Sequence, residues 1–206
     1  MSLKQTKSQI RKSIKSKLRL IPLQALTAQS DNVHHQLLQL DQFKLAKSVA
    51  IYMNMENLEV QTKSIIKSCF DLKKLVYLPK IENCIKINRK PSHLQMIPIT
   101  NYQDIINLKP SGKYNLLEPD SGIDIFDSNQ QLDLILIPGV AFDLSKHRLG
   151  HGGGYYDEFL STYFKKYQKI PYLIGLGLNQ QLIDNIPIES HDWTLNKLII
   201  DDTVID

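Results

Sequence analysis

The chain has 206 residues, 42% apolar and 22% charged, with a formal net charge of +4. That length builds one sizeable core more readily than two domains, and the composition excludes a disordered or fibrous chain. The charge is too mild to demand a nucleic-acid partner, and no apolar run is long enough to span a bilayer. Cys69 and Cys84 lie far apart with no CxxC or metal-ligand spacing, which predicts reduced thiols in an intracellular protein.

Residues 4–20 read as a helix, because Ile10, Ile14, Leu18 and Ile21 fall at helical spacing. Lys7, Arg11 and Lys15 form a basic stripe at i, i+4, i+8 on another face. No acidic residue precedes Asp31. A basic, serine-containing, acid-free start is also the composition of an organellar targeting segment, although the apolar stretch of a secretory signal is missing. A second helix is predicted from about Thr27 to Leu40, then a strand over Ser48–Met53 rich in strand formers. Thr62 is placed to cap a helix running through Phe70. Lys74–Leu78 is the next strand, stopped by Pro79. Residues 84–100 read as extended, and 101–130 as loop with short helical pieces. Leu132–Ile137 is the strongest strand pattern, ended by Pro138-Gly139.

After it, five glycines, two tyrosines and two aspartates crowd into residues 138–157. Glycine at that density weakens regular structure by about 0.5–1 kcal/mol per residue, so something must need the backbone bare. Tyr156, Phe159, Leu160, Tyr163, Phe164 and Tyr167 then repeat at helical spacing, which starts a helix near Tyr155. Tyr172–Leu176 and Leu198–Ile200 are two more strands. Apolar strands without alternation, separated by helices, predict one α/β domain in three layers, its sheet buried on both faces.

The order strand, glycine loop, helix points to an anion. A helix N-terminus offers unpaired N–H groups and partial positive charge, and glycines let a phosphate approach them. A P-loop is excluded because no lysine follows Gly154, and a dinucleotide fingerprint because position 155 is tyrosine. The helix dipole contributes only about 0.3–1 kcal/mol toward a surface anion. Formal charge from Lys146 and Arg148, and a Mg²⁺ ion on Asp157, are the added features a polyphosphate needs.

The stretches Pro138-Gly-Val-Ala-Phe-Asp143 and Arg148-Leu-Gly-His-Gly-Gly-Gly-Tyr-Tyr-Asp157 resemble the signature of the 5-formyltetrahydrofolate cyclo-ligase family. Ile51-Tyr-Met-Asn-Met-Glu-Asn-Leu-Glu-Val-Gln-Thr62 is similar to the family's strand, folate-contacting loop and helix start. Lys7 and Arg11 match its N-terminal pair, Tyr114–Pro119 its central Glu-Pro segment, and His191-Asp192 its late His-Asp. The resemblance spans nearly the whole chain. It implies a single α/β/α domain over 1–206 with a mostly parallel, Rossmann-like sheet. It implies that ATP and 5-formyltetrahydrofolate, with or without a polyglutamate tail, become 5,10-methenyltetrahydrofolate, ADP and phosphate, with Mg²⁺ required. The formyl oxygen takes the γ-phosphoryl group and the N10 amine closes the ring.

Carried onto this sequence, the resemblance assigns ATP to Lys7, Arg11, Arg148, Leu149, Gly150, His151, Gly152, Gly153, Gly154, Tyr155 and Tyr156. It assigns the folate to Met53, Glu59 and the stretch His151–Tyr155, catalysis to Arg148 and Tyr156, and Mg²⁺ to Asp157 and Asp192. Of the two tyrosines, one is expected to pack inward and one to face the pocket. Many members carry lysine where this chain has Gly153, and Trp193 after His-Asp is unusual. A cytoplasmic monomer is expected, with a mitochondrial pool left open. The alternatives are a non-enzymatic basic module for nucleic acid or another anionic partner, and a catalytically silent folate- and nucleotide-binding relative. Aromatic residues do not interleave the basic stripe, as a nucleic-acid platform requires.

Overall fold

A computed structural model describes residues 2–111, 115–128 and 130–206. The first helix, α1 (Leu3–Leu18), starts at a capping box: the Ser2 hydroxyl accepts from the Gln5 N–H, and the Gln5 side chain accepts from the Ser2 N–H. Helix α2 (Leu23–Gln39) begins four residues before the expected Thr27, directly after Pro22, whose fixed φ of −60° suits a helix entry. A short α3 (Asp41–Leu45) leads into β1 (Ser48–Ala50).

Next come α4 (Lys63–Asp71), β2 (Leu75–Asn83), β3 (Ser92–Ile99), α5 (Tyr102–Asn107) and a small hairpin of β4 (Pro110–Ser111) and β5 (Leu116–Leu117). Strand β6 (Leu134–Ile137), a second hairpin of β7 (Ala141–Phe142) and β8 (Arg148–Leu149), and helix α6 (Tyr155–Tyr167) follow. Strands β9 (Tyr172–Gly177), β10 (Lys197–Ile200) and β11 (Thr203–Ile205) complete the chain.

Seven strands form one sheet in the order β11-β10-β9-β6-β1-β2-β3. The five central strands are parallel; β3 and β11 run antiparallel at the edges. Alternate residues feed two cores. Val49, Leu134, Leu136 and Ile199 meet Ile14, Leu26, Val33 and Ile65 of α1, α2 and α4 on one face. Ala50, Ile135, Ile137 and Leu198 meet Phe159, Leu160 and Tyr163 of α6 on the other. Burial on both faces is why these strands read as unbroken apolar runs. This is the expected three-layer α/β arrangement with a mostly parallel sheet.

Two expectations are corrected. Strand β2 runs straight through Pro79, because β1 pairs only as far as Tyr77, whose carbonyl accepts from the Ile51 N–H. Two residues further, the missing N–H of Pro79 faces the side where no strand remains. Thr62 precedes α4 but does not cap it; its hydroxyl bonds the Tyr52 carbonyl at 2.7 Å and accepts from the Asn54 N–H at 3.3 Å. It braces the turn after β1, and that turn shapes the site.

Candidate active site

From β1 the chain moves to β2 on one side, whereas β6 leads to β9 on the other. The crevice between β1 and β6 is therefore the point where strand order reverses, and ligands in such sheets sit there beyond the carboxyl ends. A cavity of about 230 Å³ occupies that place. Tyr52, Met53 and Glu59 enter it from the turn after β1, Pro138 from the end of β6, and Ile81 and Glu118 from the β2 side.

The glycine loop closes the same cavity. The β7–β8 hairpin holds its base through the Val140 N–H donating to Leu149 O at 2.7 Å. Asp143 braces the hairpin turn, accepting from the His147 N–H at 3.0 Å and the Ile186 N–H at 2.9 Å. Gly152 and Gly154 adopt φ of +107° and +66°, which L side chains rarely take. In this chain a Cβ at position 153 would stand 2.6 Å from the Tyr155 ring, so a side chain there would require that ring to shift. Gly154 is the N-cap of α6 and supplies no side-chain cap, so the first N–H groups of that helix stay available to a ligand.

Around the loop the charges are arranged in pairs. The Arg148 Nη2 donates to both carboxylate oxygens of Asp157, at 3.0 and 2.9 Å, and the guanidinium lies over the Tyr156 ring with 5.6 Å to its centre. Arg11 reaches from α1 to donate to Gly150 O at 2.7 Å. Lys7, one turn earlier, donates to Asp192 at 2.7 Å and Glu189 at 2.9 Å. Burial alone would push Lys7 down and Asp192 up; their hydrogen bonds and charges outweigh it, so Lys7 is raised and Asp192 lowered.

The predicted residues therefore converge. Met53, Glu59, Arg148, Gly150, His151, Gly153, Gly154, Tyr155, Tyr156 and Asp157 line one cavity. Leu149 is buried beneath it, and Gly152 is exposed at its edge. Glu59 is buried, accepting from the Met55 N–H at 2.8 Å and facing His151 Nε2 at 3.1 Å. Both tyrosines face the cavity rather than one alone: Tyr155 shares a 3.1 Å hydrogen bond with Ser92, whereas the Tyr156 hydroxyl is buried without a partner. Lys7 and Asp192 lie outside the cavity wall. Asp157 and Asp192 sit on adjoining segments, since the Trp193 N–H points at Asp157 Oδ1 over 3.4 Å. Trp193 anchors that segment, its indole N–H donating to Ser161 Oγ at 3.2 Å. Among the described residues no cluster of three acidic, histidine or cysteine side chains forms a complete protein cage for a metal. Tyr114 lies outside the described residues.

Sequence reasoning missed several neighbours. Tyr52 lines the cavity with its buried hydroxyl unpartnered; burial, with Glu59 nearby, pushes both its phenol and that of Tyr156 well up. Glu118, part of the Glu-Pro segment of the resemblance but given no role there, also lines it, accepts from the Ile81 N–H at 3.1 Å and is raised by burial. Lys15, the third member of the basic stripe, reaches the wall too, and its i+4 spacing from Arg11 was the available signal. Lys90 reaches the loop from the β2–β3 connection, with no local signal at all.

A sequence model described as the 5-formyltetrahydrofolate cyclo-ligase family matches residues 3–201. The 5-formyltetrahydrofolate cyclo-ligase of Saccharomyces cerevisiae is 34% identical over 206 residues, covering 96% of each chain. The Mus musculus protein of the same name is 28% identical over 197 residues, covering 94% of this chain and 93% of its own. The solved structure of Aquifex aeolicus 5,10-methenyltetrahydrofolate synthetase superposes with a TM-score of 0.72 at 26% identity, over 96% of this chain and 91% of that one.

Proposed function

The chain belongs to the 5-formyltetrahydrofolate cyclo-ligase family, and from that premise we propose that its cavity holds 5-formyltetrahydrofolate against the terminal phosphate of ATP and closes the folate to 5,10-methenyltetrahydrofolate, releasing ADP and phosphate. The observation that carries this reading is the meeting, at one strand-reversal crevice, of an apolar acid-bearing pocket and a bare glycine loop ringed by cations.

Phosphoryl transfer asks the protein chiefly for position and charge. Arg11, Arg148 and the free N–H groups at the start of α6 hold the polyphosphate. Glu59 binds the donor edges of the pterin, beside Met53. The phenols of Tyr52 and Tyr156, held protonated by burial, donate hydrogen bonds toward the formyl group. Its oxygen attacks the γ-phosphorus as the bond to ADP breaks. The N10 amine then attacks the formyl carbon, gives up its proton, and phosphate departs with the former formyl oxygen. Glu59 and Glu118 are the cavity carboxylates without an arginine or lysine at hydrogen-bond distance among the described residues, and are the groups placed to take that proton.

The donor set suits Mg²⁺, which takes few protein carboxylates and otherwise water and phosphate oxygens. Asp157 and Asp192 would hold it, and when bound it would neutralise charge on the transferring phosphate. Arg148 and Lys7, which now occupy those carboxylates, would exchange them for phosphate oxygens. We place the protein in the cytoplasm as a monomer, which no membrane-crossing helix among the described residues contradicts.

The test is to mix protein, MgATP and 5-formyltetrahydrofolate and follow the methenyl chromophore. Formation dependent on both ATP and Mg²⁺ is expected; no chromophore, with steeply salt-dependent nucleic-acid binding instead, would favour the basic-module alternative. Asp157→Ala should lower turnover by more than about a hundredfold, beyond what loss of an outer-shell partner costs, with its melting transition retained. Wild-type turnover in that variant removes Asp157 from the metal site. Arg11→Ala should raise the KM for ATP more than that for the folate.

A further inference from the structure

Three alternate glycines of the loop each face a different cation from a different part of the chain. A Cβ on Gly150 would stand 2.8 Å from Arg148 Nη1; one on Gly152 would stand 3.5 Å from the Arg11 guanidinium carbon; one on Gly154 would stand 3.6 Å from Lys90 Nζ. Arg148 is engaged with Asp157, and Arg11 with Gly150 O. Lys90 Nζ makes no hydrogen bond or ion pair among the described residues. Of these three cations, its ammonium is thus the one that needs no existing bond broken to meet an anion.

Its placement is held from both sides. One residue before it, Arg89 forms a buried ion pair with Glu158 in the first turn of α6, at 2.6 Å. Two residues after it, Ser92 bonds the Tyr155 hydroxyl at 3.1 Å. His93 Nδ1, fully buried, sits 2.8 Å from the Lys90 carbonyl and fixes the turn between them. Two ties to the first turn of one helix, flanking a lysine whose side chain ends at that helix's N-cap, aim the ammonium at the same point as the free N–H groups.

We propose that Lys90 is a phosphate-binding residue of this site, the third cation of the glycine loop, delivered by the β2–β3 hairpin. This rests on the nucleotide reading given above. Lys90 would contact an oxygen of the nucleotide's phosphate chain over Gly154, while Arg11 and Arg148 serve the Gly150–Gly152 end. The bare Gly154 is what lets the phosphate and the ammonium come together.

The experiment compares wild type, Lys90→Ala, Lys90→Arg and Arg11→Ala in direct MgATP binding by calorimetry and in steady-state kinetics. Loss of one charge-assisted phosphate contact weakens binding by about tenfold or more. Lys90→Ala should show that loss in ATP affinity and ATP KM, an unchanged folate KM and an unchanged melting temperature, and Lys90→Arg should restore most of it. If Lys90→Ala binds MgATP as wild type does while Arg11→Ala does not, Lys90 is no phosphate ligand and the functional reading stands. Equal losses toward ATP and folate, with lowered melting, would make it a hairpin brace and overturn the proposal. A wild type that neither binds MgATP nor forms the chromophore overturns both readings together.

Discussion

Tyr52 and Tyr156 bury hydroxyls that find no hydrogen-bond partner among the described residues. An orphaned buried polar group costs about 1–3 kcal/mol, so keeping two in one cavity wall strains the unliganded protein for the sake of something that binds. Tyr52→Phe separates the two effects. The apo protein should gain up to about 1 kcal/mol, which for a chain of this length raises the melting temperature by about 2–4 °C. Binding should lose one neutral hydrogen bond, so that the folate KM rises about three- to tenfold while the ATP KM holds. Thermal melts and paired KM measurements check both, and an unchanged folate KM would mean that this hydroxyl does not reach the substrate. Tyr52 was hidden in the sequence because it sits in an apolar run, where a tyrosine reads as a strand former. Only the end of β1 at Ala50, two residues earlier than its own position, turns it toward the crevice.

At the scale of elements, the β2–β3 hairpin and α6 act as one unit through Arg89 and Glu158, whose side chains are 5% and 9% exposed. Arg89 also donates to Leu94 O at 2.6 Å and lies 4.9 Å from the centre of the Phe126 ring. Its Nη1 also lies 3.8 Å from the buried Asp124, so removing Arg89 strands two buried carboxylates and costs about 3–5 kcal/mol, whereas removing Glu158 leaves Arg89 beside Asp124 and costs less. Arg89→Met should destabilise strongly in denaturant titrations and Glu158→Gln less so, and the double substitution should recover only part of the Arg89→Met loss, because Asp124 stays without its arginine. Simple additivity would show that the two side chains do not depend on each other. This tie also explains what the sequence left illegible. The five parallel strands and α6 announce themselves through local patterns: Leu134–Ile137 is apolar throughout, and Phe159, Leu160 and Tyr163 share one helical face. The glycine loop is equally local, since its bareness is written in consecutive residues. Lys90 and Glu118 lie about 64 and 30 residues before Gly154 and Arg148, and only strand pairing brings them to the loop. Pro79 misled for the opposite reason: it obeys a local rule whose consequence depends on where the neighbouring strand ends.

For the whole molecule, the N-terminal helix is joined to the penultimate segment by Lys7 with Asp192 and Glu189, across 185 and 182 residues of chain. That junction sets α1 so that Arg11, one turn on, reaches Gly150, and it ties the integrity of the phosphate end of the site to the ionisation of two groups. The direction follows from their shifts. Burial opposes both charges, but the mutual hydrogen bonds prevail, lowering Asp192 from 3.8 and raising Lys7 from 10.5. A carboxyl lowered in the folded state stabilises fully above its unfolded value of 3.8, and that contribution disappears as pH falls through the folded value. An ammonium raised in the folded state stabilises fully below 10.5, and loses its contribution as pH climbs through the folded value. The junction's contribution is thus full between 3.8 and 10.5, and it fades beyond them as pH falls through the folded value of Asp192 or climbs through that of Lys7. After allowance for the solvent that reaches Glu189 and Asp192, it stabilises by about 1 kcal/mol, or about 2–4 °C of melting temperature. Lys7→Met should lower the melting temperature by that amount at pH 7 and by almost nothing once pH has fallen through the folded value of Asp192, which lies below 3.8, so the two melting curves converge in acid. Hydrogen exchange in residues 3–18 should quicken in the variant at neutral pH, and the KM for ATP should rise alongside, because the phosphate loses Lys7 and Arg11 loses its anchor. Parallel melting curves at every pH would mean that α1 is held by Ile14 and Leu18 packing alone, with the ion pair adding nothing.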